Sequence, residues 1–330
     1  VGKGSVTLDD LYKAEVVMVV GQNPGTNHPR MLTALEKCKK NGGKIIAVNP
    51  LPEAGLIKFT NPQNPLKLLK GGTQIADVFV PITINGDVAF FKAILLKLLE
   101  KEETRGNVFD KAFINEFTLG YDVFIADLKL YNFDDCLKAS GVSLEIFNDV
   151  FDLILNNDKI IICWAMGLTQ HENAVDNIRE LVNLLLLKGS IGKEGAGPFS
   201  ITGQPNAMGG REVGGLSNQL AAHMDFDEAD IDIVQRFWDA PAIARQPGLK
   251  AVDLFDAMEK GKIKVVWIMA TNPAVSLPNS NKVREALAKC PTVIVSDLTQ
   301  TDTSDLANIV LPAQGWSEKD GTVTNSERRI

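Results

Sequence analysis

Two short stretches of the 330-residue chain run an apolar segment into an amide-proline pair: VVMVVGQNPGTNHP at 16–29 and VVWIMATNPAVSLP at 265–278. Asn, Gln, Thr and Ser beside the free N–H groups of a helix start can hold phosphates and hydroxyls. They orient a ligand without adding acid–base chemistry. Each stretch is followed by a second apolar run ending in a polar residue, KIIAVN at Asn49 and TVIVSD at Asp297. In a nucleotide-binding crevice that position holds ribose hydroxyls. A third landmark repeats as well, Ala-Asp-x-x-x-Pro at 76–81 and Ala-Asn-x-x-x-Pro at 307–312. One Asn-Pro alone only ends a strand with a rigid turn. Three matched landmarks in two copies indicate an internally duplicated βαβ module. Neither copy carries G-x-G-x-x-G, which argues for a longer phosphate loop than an ordinary NAD site has.

The elements that must position these residues follow from periodicity. A buried strand over 15–20 leads through the loop to a helix over 30–40 with apolar Met31, Leu35 and Cys38, ended by Gly42 and Gly43. Strands over 44–49 and 76–81, with a Pro/Asn-rich connection between them, precede a helix from Asp87 to about Glu103. From Lys262 the order recurs: strand, loop, helix over 281–289, strand to Asp297 and strand over 307–312. Between the copies lie a strand over 159–166, the loop GLTQH, and a helix over 172–188 with the stripe Ile178, Leu181, Leu184 and Leu185. Nine glycines over 189–215, interleaved with Phe199, Gln204, Pro205, Asn206 and Arg211, indicate a loop that wraps a ligand. The fold class is α/β: two Rossmann-like, doubly wound, mainly parallel-sheet units, expected to divide as 1–169 and 170–330.

Composition narrows the function. A hydrophobic fraction of 45% with 23% charged residues suits a globular protein with sizeable cores. The net charge of −7 and the absence of Lys/Arg runs argue against a nucleic-acid partner. Cys38, Cys136, Cys163 and Cys290 are scattered, as are His28, His171 and His223, so neither an iron-sulfur nor a metal-ligand spacing is present, and the thiols are expected to be buried. No apolar run is long enough for a membrane helix and no signal-like start is visible, which reads as cytoplasmic.

On these residues the chain resembles the molybdopterin oxidoreductase superfamily, the bis(molybdopterin guanine dinucleotide) enzymes that include formate dehydrogenases and bacterial nitrate reductases. In that family two Rossmann-like domains each bind the guanosine end of one pterin dinucleotide, which would explain the doubled module. The resemblance implies that Gly21, Asn23 and His28 form the first dinucleotide loop, Asn49 holds ribose, and Gly86 and Asp87 form a guanine-contacting turn. Asn49-Pro50-Leu51 stands where the family often has Asp-Pro-Arg, so an arginine contact is lost. Thr271, Asn272, Ser276, Ser296, Asp297, Thr301 and Thr303 match the second dinucleotide loop and strand end. Gly167, Thr169 and Gln170 of GLTQH, with Gln204 and Asn206 of GQPNAMGG, are similar to loops that approach the pterins near molybdenum.

The resemblance implies molybdenum as the catalytic centre, with no catalytic residue and no metal ligand among these 330. It places a 4Fe-4S motif and the metal-ligating residue before this stretch and a β-barrel domain after it. The chain alone is therefore expected to be inactive, with 170–330 only the later part of the second domain. A small oxyanion or formate is the implied substrate, and a protein electron donor or acceptor the partner. The block up to about Ala196 is closest to formate-dehydrogenase-like alpha subunits, whereas the segment from Gly197 resembles assimilatory nitrate reductase and lies nearer the active site. Nitrate is thus the first choice and formate the alternative. The rival from another class is a non-catalytic relative such as the complex I large peripheral subunit, against which GLTQ and GQPNAMGG argue, and a plain nucleotide-binding module is third.

Overall fold

The computed structural model describes residues 5–63 and 71–330, so the Pro/Asn-rich connection expected after Asn49 falls partly outside the described residues. Five parallel strands, β1 (Val16–Val20), β2 (Lys44–Asn49), β3 (Val78–Pro81), β4 (Ile160–Trp164) and β5 (Gly197–Ser200), form one sheet in the order β3-β2-β1-β4-β5. Because the chain winds outward from β1 in one direction and from β4 in the other, the loops leaving these two strands diverge and open a crevice between them.

The central strands β1 and β4 are uninterrupted, fully buried apolar runs because both faces of the sheet are covered there. Val16, Met18 and Val20 pack with the helices Asp87–Arg105, Leu144–Leu155 and Ala174–Leu187, while Val17 and Val19 pack with Pro29–Lys40. Four helices that the periodicity reading passed over, Lys111–Phe117, Tyr121–Leu128, Phe133–Ser140 and Leu144–Leu155, are inserted before β4. Three of them start on side-chain caps: Asp110, Asn132 and Ser143 accept from the N–H of Phe113, Asp135 and Ile146.

The second sheet has three parallel strands, β6 (Val265–Met269), β7 (Thr292–Asp297) and β8 (Ile309–Pro312), in that order. Val266, Ile268, Val293 and Val295 are buried with residues of the helices Ala251–Glu259 and Ser280–Lys289. Alternation is visible in β6 because its other face is open: Val265, Trp267 and Met269 are each more than half exposed.

The chain forms two compact units, one of residues up to Pro205 with Thr324–Arg329, the other Asn206–Val323 with Ile330. The boundary therefore lies past the 169/170 division expected from sequence. The reason is that the helix Ala174–Leu187 contributes Leu181, Leu184 and Leu185 to the first core, and β5 pairs with β4 through Ile161↔Gly197 to Trp164↔Ser200. No helix among the described residues is long and apolar enough to cross a membrane. All four cysteines are buried free thiols, and burial pushes the Cys38 thiol up to about 11.

The two modules repeat in backbone detail. Gly21 (φ 57°) and Ala270 (φ 52°) are both left-handed, and their N–H groups donate to Val48 O and Ser296 O, each one residue before the polar strand end. Asn49 pairs with Pro81 and Asp297 with Pro312 in the same register. The third landmark has a mechanical cause as well. Asp77 Oδ2 accepts from Ile45 N–H at 2.9 Å and Asn308 Oδ1 accepts from Val293 N–H at 2.7 Å, while Ile45 O and Val293 O accept in return from the N–H of Asp77 and Asn308.

Candidate functional site

The crevice of the first unit is built where β1 and β4 end. Gly21 O accepts from Gly167 N–H at 3.0 Å, and the carbonyl of Gly167 accepts from His171 Nε2–H at 2.9 Å. A Cβ on Gly167 would lie 2.5 Å from Gly21 O, and one on Gly21 would lie 2.6 Å from Leu168 N. Only glycines allow this approach, which leaves two clefts sharing the glycine pair. The larger, about 370 Å³, is lined by Gly21, Gln22, Asn23, His28, Gly167 and Gln204 among others. The smaller, about 240 Å³, is lined by Gly21, Asn49, Asn85, Asp87, Gln170 and His171 among others. Of the site residues read from sequence, eight therefore meet around these two clefts.

Each side chain is held by its local structure. Asn23 caps the turn Pro24–Asn27, accepting from Thr26 N–H at 3.1 Å, and its amide donates to Glu53 Oε2 at 2.5 Å. Asn49 is buried and donates to the carbonyl of Gln22 at 3.0 Å, so the strand-end residue braces the first loop as well as facing the smaller cleft. Gly86 and Asp87 start the helix Asp87–Arg105. Asp87 is buried, which pushes its carboxyl above the usual range; the charge of His171 and the residue's own backbone N–H act the other way. Thr169 is exposed at the end of the short helix Met166–Thr169.

In the second unit the loop residues are tied mainly to one another. Thr303, fully buried, donates to Asn272 Oδ1 at 2.6 Å and accepts from Ala274 N–H at 3.1 Å. Ser276 donates to Asn272 O, Thr301 accepts from Ser304 N–H, and Ser296 accepts from Trp267 Nε1–H at 2.9 Å. Thr303 thus braces the loop from beneath, as Glu53 does for Asn23. Thr271 is exposed, and Asp297, half-buried, accepts from Leu298 N–H at 2.7 Å. Asn206 opens the helix Ala207–Glu212 in a left-handed conformation.

Sequence reasoning passed over Gln22, Asn85 and His171 as site residues. Gln22 and His171 each adjoin a residue that was chosen, and Asn85 (φ 66°) precedes Gly86 in the turn that starts the helix. The signal was adjacency to an identified loop.

A doubly wound parallel sheet with an amide- and glycine-built crevice, repeated in the loop geometry of a second parallel sheet, defines a Rossmann-like α/β architecture. The chain belongs to the molybdopterin oxidoreductase family, which it matches over residues 3–330. It is 41% identical over 329 residues to a nitrate reductase of Shewanella frigidimarina, the match taking in 98% of this chain and 32% of the relative. An uncharacterized oxidoreductase of Mycobacterium bovis is 39% identical over 329 residues, 97% of this chain and 41% of that protein. The chain thus spans about a third to two-fifths of the length of these relatives. Acetylene hydratase from Pelobacter acetylenicus shares the fold, with a TM-score of 0.63 at 16% identity over 94% of this chain and 44% of that one.

Proposed function

We propose that this chain holds two molybdopterin guanine dinucleotides within a molybdenum-dependent oxidoreductase whose substrate is nitrate, reduced to nitrite. The observation that carries the reading is the doubled strand-end geometry, with Asn49 and Asp297 in one register and Gly21 and Ala270 in one conformation.

The residues fit such a group. The glycine pair at 21 and 167 lets the two loops meet where any Cβ would strike the opposing backbone, and amides and a buried carboxyl line the clefts beside it. Asn49 and Asp297 would accept ribose hydroxyls. Asp87 would accept the ring N–H and amino group of guanine, a pairing that offsets the cost of its burial. Gln170 and Gln204 would orient the pterin edges through amide hydrogen bonds. When bound, the cofactor supplies molybdenum, at which oxygen-atom transfer and electron exchange take place; the chain binds, orients and excludes water. An electron-donor protein completes the system. Nitrate is favoured over formate by the 41% identity to a protein named nitrate reductase.

The complete protein should contain molybdenum and release two equivalents of GMP on acid hydrolysis, and should reduce nitrate with reduced viologen. Asp297→Ala and Asn49→Ala should each lower the GMP content. Full GMP content in both variants would overturn the site assignment, and formate oxidation without nitrate reduction would overturn the substrate.

A further inference from the structure

Gln22 and His28 lie in the first loop and both line the larger cleft, yet they carry buried polar atoms without a hydrogen-bond partner, Gln22 Oε1 and His28 Nε2. Gln22 is 2% exposed. Its amide nitrogen lies 3.0 Å from Met31 Sδ and 3.2 Å from His28 Nδ1. A thioether sulfur can only accept, so the amide nitrogen rather than the oxygen must face it. The same nitrogen can only donate to the imidazole, so Nδ1 is the acceptor and the proton of a neutral ring sits on Nε2.

We propose that Gln22 is a positioning residue that fixes His28 as a neutral imidazole protonated on Nε2, so that the ring presents one N–H donor and no positive charge at the cleft wall. The ligand class this suits is an acceptor oxygen, such as that of a pyrophosphate, and this use rests on the cofactor reading above, whereas the tautomer does not. Burial supports the neutral form by holding the ring below its usual pKa, against the backbone of Thr202, which favours the protonated ring. His28 also lines a second cavity of about 290 Å³ with Tyr12, Arg30 and Phe199. A ring free to flip would disturb both spaces.

The test is nitrogen NMR of the full chain labelled with ¹⁵N-histidine, with His28→Gln assigning the signal. At pH 7 the natural chain should show an unprotonated Nδ1 and a protonated Nε2. Gln22→Glu should raise the His28 pKa by about one unit or more, because a carboxylate beside Nδ1 favours the charged ring. Gln22→Met should leave the ring averaging between tautomers. An Nδ1-protonated or averaged ring in the natural chain would overturn the proposal, as would an unchanged His28 in Gln22→Glu. Should Gln22→Met fail to fold, those two measurements still decide. Inorganic pyrophosphate should shift the Nε2 signal; no shift beside an intact tautomer would reject the donor role and leave the positioning role standing.

Discussion

Gly167 donates its backbone N–H to the carbonyl of Gly21 at 3.0 Å, joining the ends of β1 and β4 through two residues without side chains. The left-handed φ of Gly21 and the 2.5 Å that would separate a Gly167 Cβ from Gly21 O make both positions intolerant of alanine. Gly167→Ala should destabilise the chain by about 1–3 kcal/mol through overpacking. Thermal unfolding should show it as a fall of several degrees. An unchanged midpoint would mean that the loops part freely and the crevice is not rigid.

Asp77 and Asn308 do the same work in the two modules, which allows an internal swap. Asp77→Asn keeps an acceptor for Ile45 N–H and loses only the surface ion pairs with Lys39 at 2.9 Å and Lys44 at 3.9 Å, worth about 0–1 kcal/mol. Asp77→Ala leaves a buried N–H unpaired at about 1–3 kcal/mol. Urea midpoints of the two variants should therefore differ, alanine being the lower. Equal midpoints would show that the repeated landmark has no structural role.

Much of this was legible in the sequence because duplication makes a weak signal redundant. Asn-Pro after a strand is ambiguous once, but Asn23 and Asn272 together fixed both loops. The four inserted helices were passed over for different reasons: Leu144–Leu155 buries Phe147, Val150, Phe151 and Ile154 at helical spacing and was legible, whereas the shorter ones were not. Tyr121–Leu128 places much of its apolar surface outward, with Val123 75% exposed, so no clean stripe marks it. Caps were the signal there: Asp110, Asn132 and Ser143 each stand one residue before a helix. The extent of the first unit was missed because Gly197–Ser200 is too short and glycine-rich to be recognised as a strand until it pairs with Ile161–Trp164. The bracing roles of Thr303 and Ser296 depend on partners 31 and 29 residues away, beyond any local pattern.

Asp87 gives the stability of the ligand-free chain a pH dependence. Its folded pKa is raised, so between the ordinary carboxyl value and the raised one the folded state holds more of the proton than the unfolded state. Stability should fall as pH rises through that window and level off above it. Asp87→Asn removes the fall, so its urea midpoint should exceed that of the natural chain by a margin that grows with pH and then plateaus. The same variant should retain less GMP-bearing cofactor, since an amide cannot accept both guanine donors. A margin independent of pH would remove Asp87 as the titrating group.

Lys92, from the helix Asp87–Arg105, meets Glu180 of the helix Ala174–Leu187 at 2.8 Å, with both side chains about nine-tenths buried. Lys92 Nζ also lies 4.0 Å from the centre of the Tyr131 ring and 3.8 Å from Asp127 Oδ2, while Glu180 Oε2 has no hydrogen-bond partner among the described residues. The pair is thus a poor source of stability but costly to break, because removing one partner strands the other charge in the core. Lys92→Met alone should cost about 3–5 kcal/mol. Lys92→Met with Glu180→Leu should recover most of that loss, because two apolar side chains need no compensation. A urea double-mutant cycle measures the coupling directly. Additive losses in the double variant would show that the two charges are solvated independently and that the helices are not joined through this pair.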